Sequence, residues 1–155
     1  LGDVYKRQVQ DHAAVLFAFE QLGGAQKCLE EAKDYAMNRF AFGRPIASFQ
    51  AIKHKMADVY MKTELARSNA YYGAWALNSG AAELPVAAAA ARVAGNTAFL
   101  FAAEENIQTQ GGMGFTWEFD CHLYLRRAKL LALTLGSEKR WKERLVSRLE
   151  ERNAA

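Results

Sequence analysis

The run VAAAAARVAGNTAFLFAAEENIQTQ, residues 86–110, limits the fold more than any other part of the chain. Alanine is the best helix former and adds almost no side-chain thickness. The run therefore predicts a long helix that its neighbours can approach closely, a helix for the centre of a packed bundle. It stops at Gly111-Gly112-Met113-Gly114, where the glycines cost backbone entropy and call for a reason.

The flanking sequence divides into helices of the same kind. Over Asp11–Phe40, Leu16, Phe19, Leu22, Leu29, Ala32 and Ala36 recur at helical spacing, and Gly23-Gly24 inside the pattern suits close approach of another helix. AFGRPIAS (41–48) is expected to be a turn built on Gly43 and Pro45, with Ser48 as N-cap of the next helix. That helix spans about Phe49–Leu77, with Ile52, Met56, Val59, Tyr60, Leu65 and Ala66 as its apolar stripe and Asn78-Ser79-Gly80 as its stop. Pro85 lies near the start of the alanine-rich helix, and two more are expected over about Asp120–Leu133 and from about Glu138 onward. The chain has 155 residues and 2 prolines, with no strand-like alternation of any length. Long helices joined by short turns in one domain predict an all-α, antiparallel up-down bundle.

LGDVYKRQ (1–8) carries no helical pattern, and DVYKRQ resembles the translation of a transposon-derived sequencing adapter. Residues 1–8 are expected to be a non-native scar, with the domain over 9–155 and further domains encoded upstream.

Composition excludes several functions. A net charge of +3 is too small to argue for nucleic acid, and the basic residues of the last third alternate with apolar ones as on a solvated helix face. Cys28 and Cys121 form no metal-like pair and point to a reduced, cytoplasmic setting. No apolar run of membrane-spanning length is evident, so membrane insertion is not expected. Di-metal sites in bundles need Glu-x-x-His pairs that put both ligands on one helix face, and none occurs. Nucleophile elbows, Walker loops and zinc spacings are also missing. The glycine cluster follows a helix rather than a strand, so it is no dinucleotide fingerprint.

Two motifs together are specific. RFAFGRPIASFQAIKHKMAD (39–58) and QTQGGMGFTWEFDCHLYLRRAK (108–129) resemble, in order and spacing, the C-terminal domain of acyl-CoA dehydrogenases, and the likeness covers about Asp11–Leu149. The resemblance implies a helical bundle that is one of three domains in a full-length flavoenzyme, with FAD between this bundle and a β-domain and the ADP half of FAD reaching a neighbouring subunit's bundle. It implies an acyl-CoA substrate, an electron-transfer acceptor protein, and assembly as a homo-oligomer or as a hetero-oligomer with a homologous subunit. Arg39 matches an arginine that pairs with the FAD pyrophosphate, for which a planar guanidinium fork is suited. Phe42 matches an aromatic on the cofactor, and Phe49 and Gln50 match the adenine-side pocket. Gln108, Gly111 and Gly112 match the loop near the ADP portion, and Ser137 a hydroxyl near the flavin. Taken singly, Arg39 would be a charge at a helix C-terminus and Phe42 and Phe49 plain core.

The family reaction removes an α-proton with a carboxylate while the β-hydrogen leaves as hydride to the flavin. The resemblance puts that base just before a Gly-Thr/Ser pair, where RRAKLLALTLGSEK has Leu135, or in the first helix, where DHAA has Ala13. Neither can take a proton. Three explanations stay open: a non-catalytic subunit of a hetero-oligomer, a base from elsewhere (Asp11 and Glu20 being weak candidates), or a different flavin reaction.

Overall fold

The computed structural model describes residues Gly2–Ala154. Five helices run in order: α1 (Gly2–Asn38), α2 (Gln50–Ser79), α3 (Leu84–Gln110), α4 (Cys121–Leu133) and α5 (Glu138–Ala154). A two-residue-per-strand hairpin, β1 (Phe40–Ala41) with β2 (Arg44–Pro45), and a 3-10 turn (Ile46–Ser48) link α1 to α2. A second 3-10 turn, Gly111–Phe115, follows α3.

The alanine-rich run is the central helix, and α3 packs on α1, α2, α4 and α5. Ala87, Ala88, Ala89, Ala91, Ala98, Ala102 and Ala103 are all buried. An 18-residue window within Leu84–Phe115 has a mean hydropathy of 1.4, long and apolar enough for a membrane span, contrary to the sequence expectation. In this fold 61% of that window is covered by the other helices instead. Three apolar clusters form the core among the described residues, the smallest being Ala18, Leu22, Ala70 and Ala91. One gathers Val59, Phe99 and Leu131 around Ala25 and Cys28. Another gathers Val15 and the fully buried Trp141 around Ala14, Ala88 and Ala89.

Several local expectations change. Residues 2–8, without helical periodicity, nevertheless continue α1 as exposed turns. The 41–48 turn contains a tight hairpin, with Phe42 (φ 53°) and Gly43 (φ 78°) both left-handed, as a two-residue hairpin loop demands. Ser48 is not a cap: it ends the 3-10 turn, its Oγ is buried without a partner among the described residues, and Phe49 holds the N-cap position with no side-chain bond. Gly80, by contrast, closes α2 in the left-handed conformation (φ 62°), with its N–H on the Ala76 and Leu77 carbonyls. Leu16, Tyr60 and Leu65 are exposed, whereas Thr63, Ala70 and Gly73 are buried on α2. Large side chains mark the expected stripe, but small ones face the close helix contacts.

The last helix is tied to the first by a buried carboxylate. Asp11 receives Arg144 Nη2 at 3.2 Å and both terminal nitrogens of Arg148 at 3.0 Å. Arg148 also donates to the Pro85 carbonyl at the start of α3. Two of the C-terminal arginines therefore turn inward and do not join a solvated face.

Gly23 and Gly24 separate cleanly. A Cβ at Gly24 would lie 2.4 Å from the Phe99 ring, whereas one at Gly23 meets nothing within 4 Å. Gly24→Ala should destabilise the fold by about 1–3 kcal/mol through overpacking, and Gly23→Ala should stabilise it by roughly 0.5–1 kcal/mol through helix propensity. Urea unfolding midpoints of the two variants should move in opposite directions; movement the same way would contradict the packing described.

Candidate functional site

The hairpin and the glycine turn lie at one end of the bundle. Asn38, beside Arg39, and Gln110, beside Gly111, line a common cavity. Arg39 is exposed just past α1, its N–H bonded to the Tyr35 carbonyl and its own carbonyl accepting from Ile46 N–H, each at 2.8 Å. Among the described residues its guanidinium has no ion-pair partner. Phe42 projects outward, 96% exposed, because its left-handed backbone directs the ring away from the bundle. It meets Phe49 at near right angles (centroids 6.2 Å, 83°), and the Arg44 guanidinium covers Phe49 at 4.1 Å. Gln50 is exposed at the first turn of α2.

Gln108 is exposed on the last turn of α3. Gly111 has φ 62°, and a Cβ at either Gly111 or Gly112 would meet nothing within 4 Å. Their backbone is open to an approaching group, which glycine permits without side-chain obstruction. Gly114 is different: a Cβ there would fall 2.7 Å from the Ile107 carbonyl oxygen, so this glycine is required by the turn's own packing. Cys121 donates its thiol to the Gly114 carbonyl at 3.2 Å and pins the turn to α4. Phe115 and Trp117 remain largely exposed.

Ser137 lies elsewhere. The 134–137 turn packs beside Ala14, Ala88 and Ala89, near the start of α3. At 1.5 Å rise per residue, that level and Gln110 are separated by ~30 Å along α3. Ser137 is exposed, and its Oγ accepts from Arg140 N–H at 3.4 Å as the first turn of α5 begins. Leu135 is half-buried with φ 67°, and Gly136 follows with φ 105°. The Leu135 carbonyl accepts from Trp141 Nε1 at 3.2 Å. Ala14, adjoining Ala13, belongs to the cluster that Leu135 packs against. The structure thus brings the two expected base positions to one apolar region. Asp11 and Glu20 do not fill the gap: Asp11 is held by two arginines, and Glu20 pairs with Arg127.

Residue-by-residue matching missed Arg92. It is fully buried in α3 and donates to the Leu131 carbonyl and, at 2.6 Å, to the Thr134 carbonyl. Burial pulls its guanidinium down to about 10, so it stays charged at neutral pH. The cation satisfies the C-terminal carbonyls of α4, where the helix dipole favours positive charge. A single arginine among alanines was the sequence signal. A second missed feature is the polar chain Gln110–Asn106–Glu31: Gln110 Nε2 donates to Asn106 Oδ1 at 2.8 Å, and Asn106 Nδ2 to Glu31 Oε2 at 3.2 Å. Burial, reinforced by Glu31, pushes the Cys28 thiol and the Tyr124 phenol each up to about 12, so neither is a nucleophile at neutral pH.

Comparison with known proteins accounts for this arrangement. Residues 5–149 match the family model described as acyl-CoA dehydrogenase, C-terminal domain. The chain is 44% identical over 143 residues to acyl-CoA dehydrogenase IpdE2 of Mycobacterium tuberculosis, covering 92% of this chain and 43% of that protein. Its fold superposes on a variant of the Tcur3481-Tcur3483 steroid ACAD with a TM-score of 0.91 at 29% identity, over 96% of this chain and 41% of that one. It matches the ChsE4-ChsE5 complex of Mycobacterium tuberculosis with a TM-score of 0.84 at 26% identity, over 96% and 39%. The chain therefore spans less than half the length of these relatives, and it belongs to the acyl-CoA dehydrogenase family as a C-terminal helical domain.

Proposed function

We propose that this bundle is the FAD-contacting and oligomer-forming part of an acyl-CoA dehydrogenase acting on acyl-CoA thioesters. The observation that carries the reading is the meeting of its two motifs at one end: an exposed Arg39, without an ion-pair partner among the described residues, with the open backbone of Gly111 and Gly112. Arg39 would hold the pyrophosphate, Phe42, Phe49 and Gln50 the adenine side, and Gln108 with the glycine turn the ADP portion. Bound FAD would supply the hydride acceptor, and an electron-transfer acceptor protein would reoxidise it.

The ~30 Å between that end and Ser137 supports a division of labour. If both ends touch FAD, they touch two different molecules, as expected where the ADP half of a cofactor crosses to a neighbouring subunit's bundle.

The base position favours a second reading: this chain supports the site of a homologous catalytic subunit. Leu135 and Ala13 offer no carboxylate, and Asp11 is locked into an ion pair. The ChsE4-ChsE5 complex, among the solved relatives, is an assembly of two named chains, consistent with such pairing.

Two measurements separate these points. Arg39→Ala and Gln108→Ala, in the full-length protein with its partners, should each lower the flavin retained on purification, Arg39→Ala about tenfold or more in affinity from loss of a charge-assisted pair; unchanged flavin-to-protein ratios in both would sink the assignment. Acyl-CoA-driven bleaching of the flavin absorbance should be absent for the full-length protein alone and appear on adding the homologous subunit. Bleaching by the protein alone refutes the partner-dependent reading and leaves the flavin site standing.

A further inference from the structure

The 134–137 turn joins α4 to α5, and its hydrogen bonds divide by origin. Within α4 and the turn, Thr134 N–H donates to the Leu130 carbonyl at 3.1 Å and Gly136 N–H to the Leu133 carbonyl at 3.2 Å. From α5, Trp141 Nε1 holds the Leu135 carbonyl, and Ser137 Oγ accepts from Arg140 N–H. These bonds give the turn its shape. They do not determine where it stands against the rest of the bundle.

Arg92 does that. Its Nη2 reaches the Leu131 carbonyl and, at 2.6 Å, the Thr134 carbonyl. Among the described residues, these are the hydrogen bonds that tie 131–137 to a side chain outside α4 and α5. The side chain is fully buried in α3, with its guanidinium 5.9 Å from the Phe17 ring of α1, so it reaches out from a packed stem. Thr134, the C-cap of α4, is extended (φ −65°, ψ 137°), and the last carbonyls of that helix need a donor from outside it. Nε and Nη1 are buried without a partner among the described residues, so one nitrogen of the guanidinium makes both bonds. Capping alone asks for a single donor; the long, planar group adds reach and a fixed orientation.

We propose that Arg92 is a positioning residue: it fastens the 134–137 turn to the central helix and so sets where Ser137 stands against a bound flavin. The proposal rests on the reading that Ser137 faces FAD. Arg92 itself lies in the core and acts only through the turn.

The test uses the full-length protein with its partners. Arg92→Met removes both bonds and keeps an unbranched stem. Hydrogen exchange of the 134–137 amides, read by mass spectrometry, should quicken about tenfold, while flavin retention, which depends on the Arg39 end, should hold. A displaced hydroxyl no longer favours the more negative, reduced flavin. The reduction potential should therefore fall by on the order of tenfold in the oxidised-to-reduced equilibrium, ~30 mV for a two-electron couple. Ser137→Ala should lower the potential in the same direction. A purely structural Arg92 would lower the melting temperature of Arg92→Met and leave its potential alone. That result, with the potential shifted in Ser137→Ala, overturns the positioning role and leaves the flavin reading standing. An unchanged potential in Ser137→Ala overturns the positioning role together with the placement of Ser137, and leaves the Arg39 site untouched. Should Arg92→Met not fold, Arg92→Lys keeps the charge on a stem that ends short of Nη2. It should show the same two changes at smaller size, and wild-type values in it would overturn the proposal.

Discussion

Helix axes can approach only as closely as the side chains between them allow, and α3 presents mostly methyl groups. Alanine at 87, 88, 89, 91, 98, 102 and 103 lets four helices pack on one, and the few large groups then fill spaces of fixed size. Phe99 occupies the space that Gly24 leaves open, and Trp141 fills the end beside Ala88 and Ala89. With so little thickness to spare, the interface rejects even one added carbon at Gly24, while Gly23 on the outer face is indifferent. The same helix fixes the span between the two ends of the molecule, and therefore how far apart the glycine turn and the 134–137 turn lie.

That central helix also buries polar groups that an alanine core would otherwise exclude. Arg92 places its Nη2 on carbonyls at the end of α4 that have no partner within their own helix, while its Nε and Nη1 are buried without a partner among the described residues. Asp11 is tolerated for the complementary reason, with two guanidinium groups around it. A buried ion pair of this kind adds little net stability against an apolar replacement, but loss of one partner leaves an uncompensated charge and is strongly destabilising. Together the two arrangements fix both ends of the α4–α5 connection, Arg92 from below and the Asp11 pair through α5.

Much of this is legible in the sequence. Alanine content, helical spacing and the stops at Gly80 and Gly111 give the helices and their order, and two motifs give the family. What escaped has a common physical origin. Periodicity marks large apolar residues, so it selects Leu16, Tyr60 and Leu65, whereas the close contacts are made by Ala70, Gly73 and Thr63. Residues distant in sequence meet only in the fold: Asp11 with Arg144 and Arg148, or Glu31 with Asn106 and Gln110. Ser48 has an N-cap residue's chemistry, but the 3-10 turn before α2 places it one residue too early. The positions matched to the cofactor are surface residues with few internal partners, so the fold records where they stand and chemistry alone suggests what they hold.

The turn at 134–137 carries the sharpest consequence. A leucine gains nothing from a left-handed backbone, which costs a non-glycine residue on the order of 1 kcal/mol. Leu135 adopts it nonetheless, because groups outside its side chain determine the turn: Arg92 holds the Thr134 carbonyl, Trp141 Nε1 holds the Leu135 carbonyl, and Gly136 accepts φ 105°. The backbone of this turn is therefore set by its surroundings and not by the leucine side chain. The turn thereby serves the packing of α4, α5 and Trp141, whatever residue stands at its left-handed position.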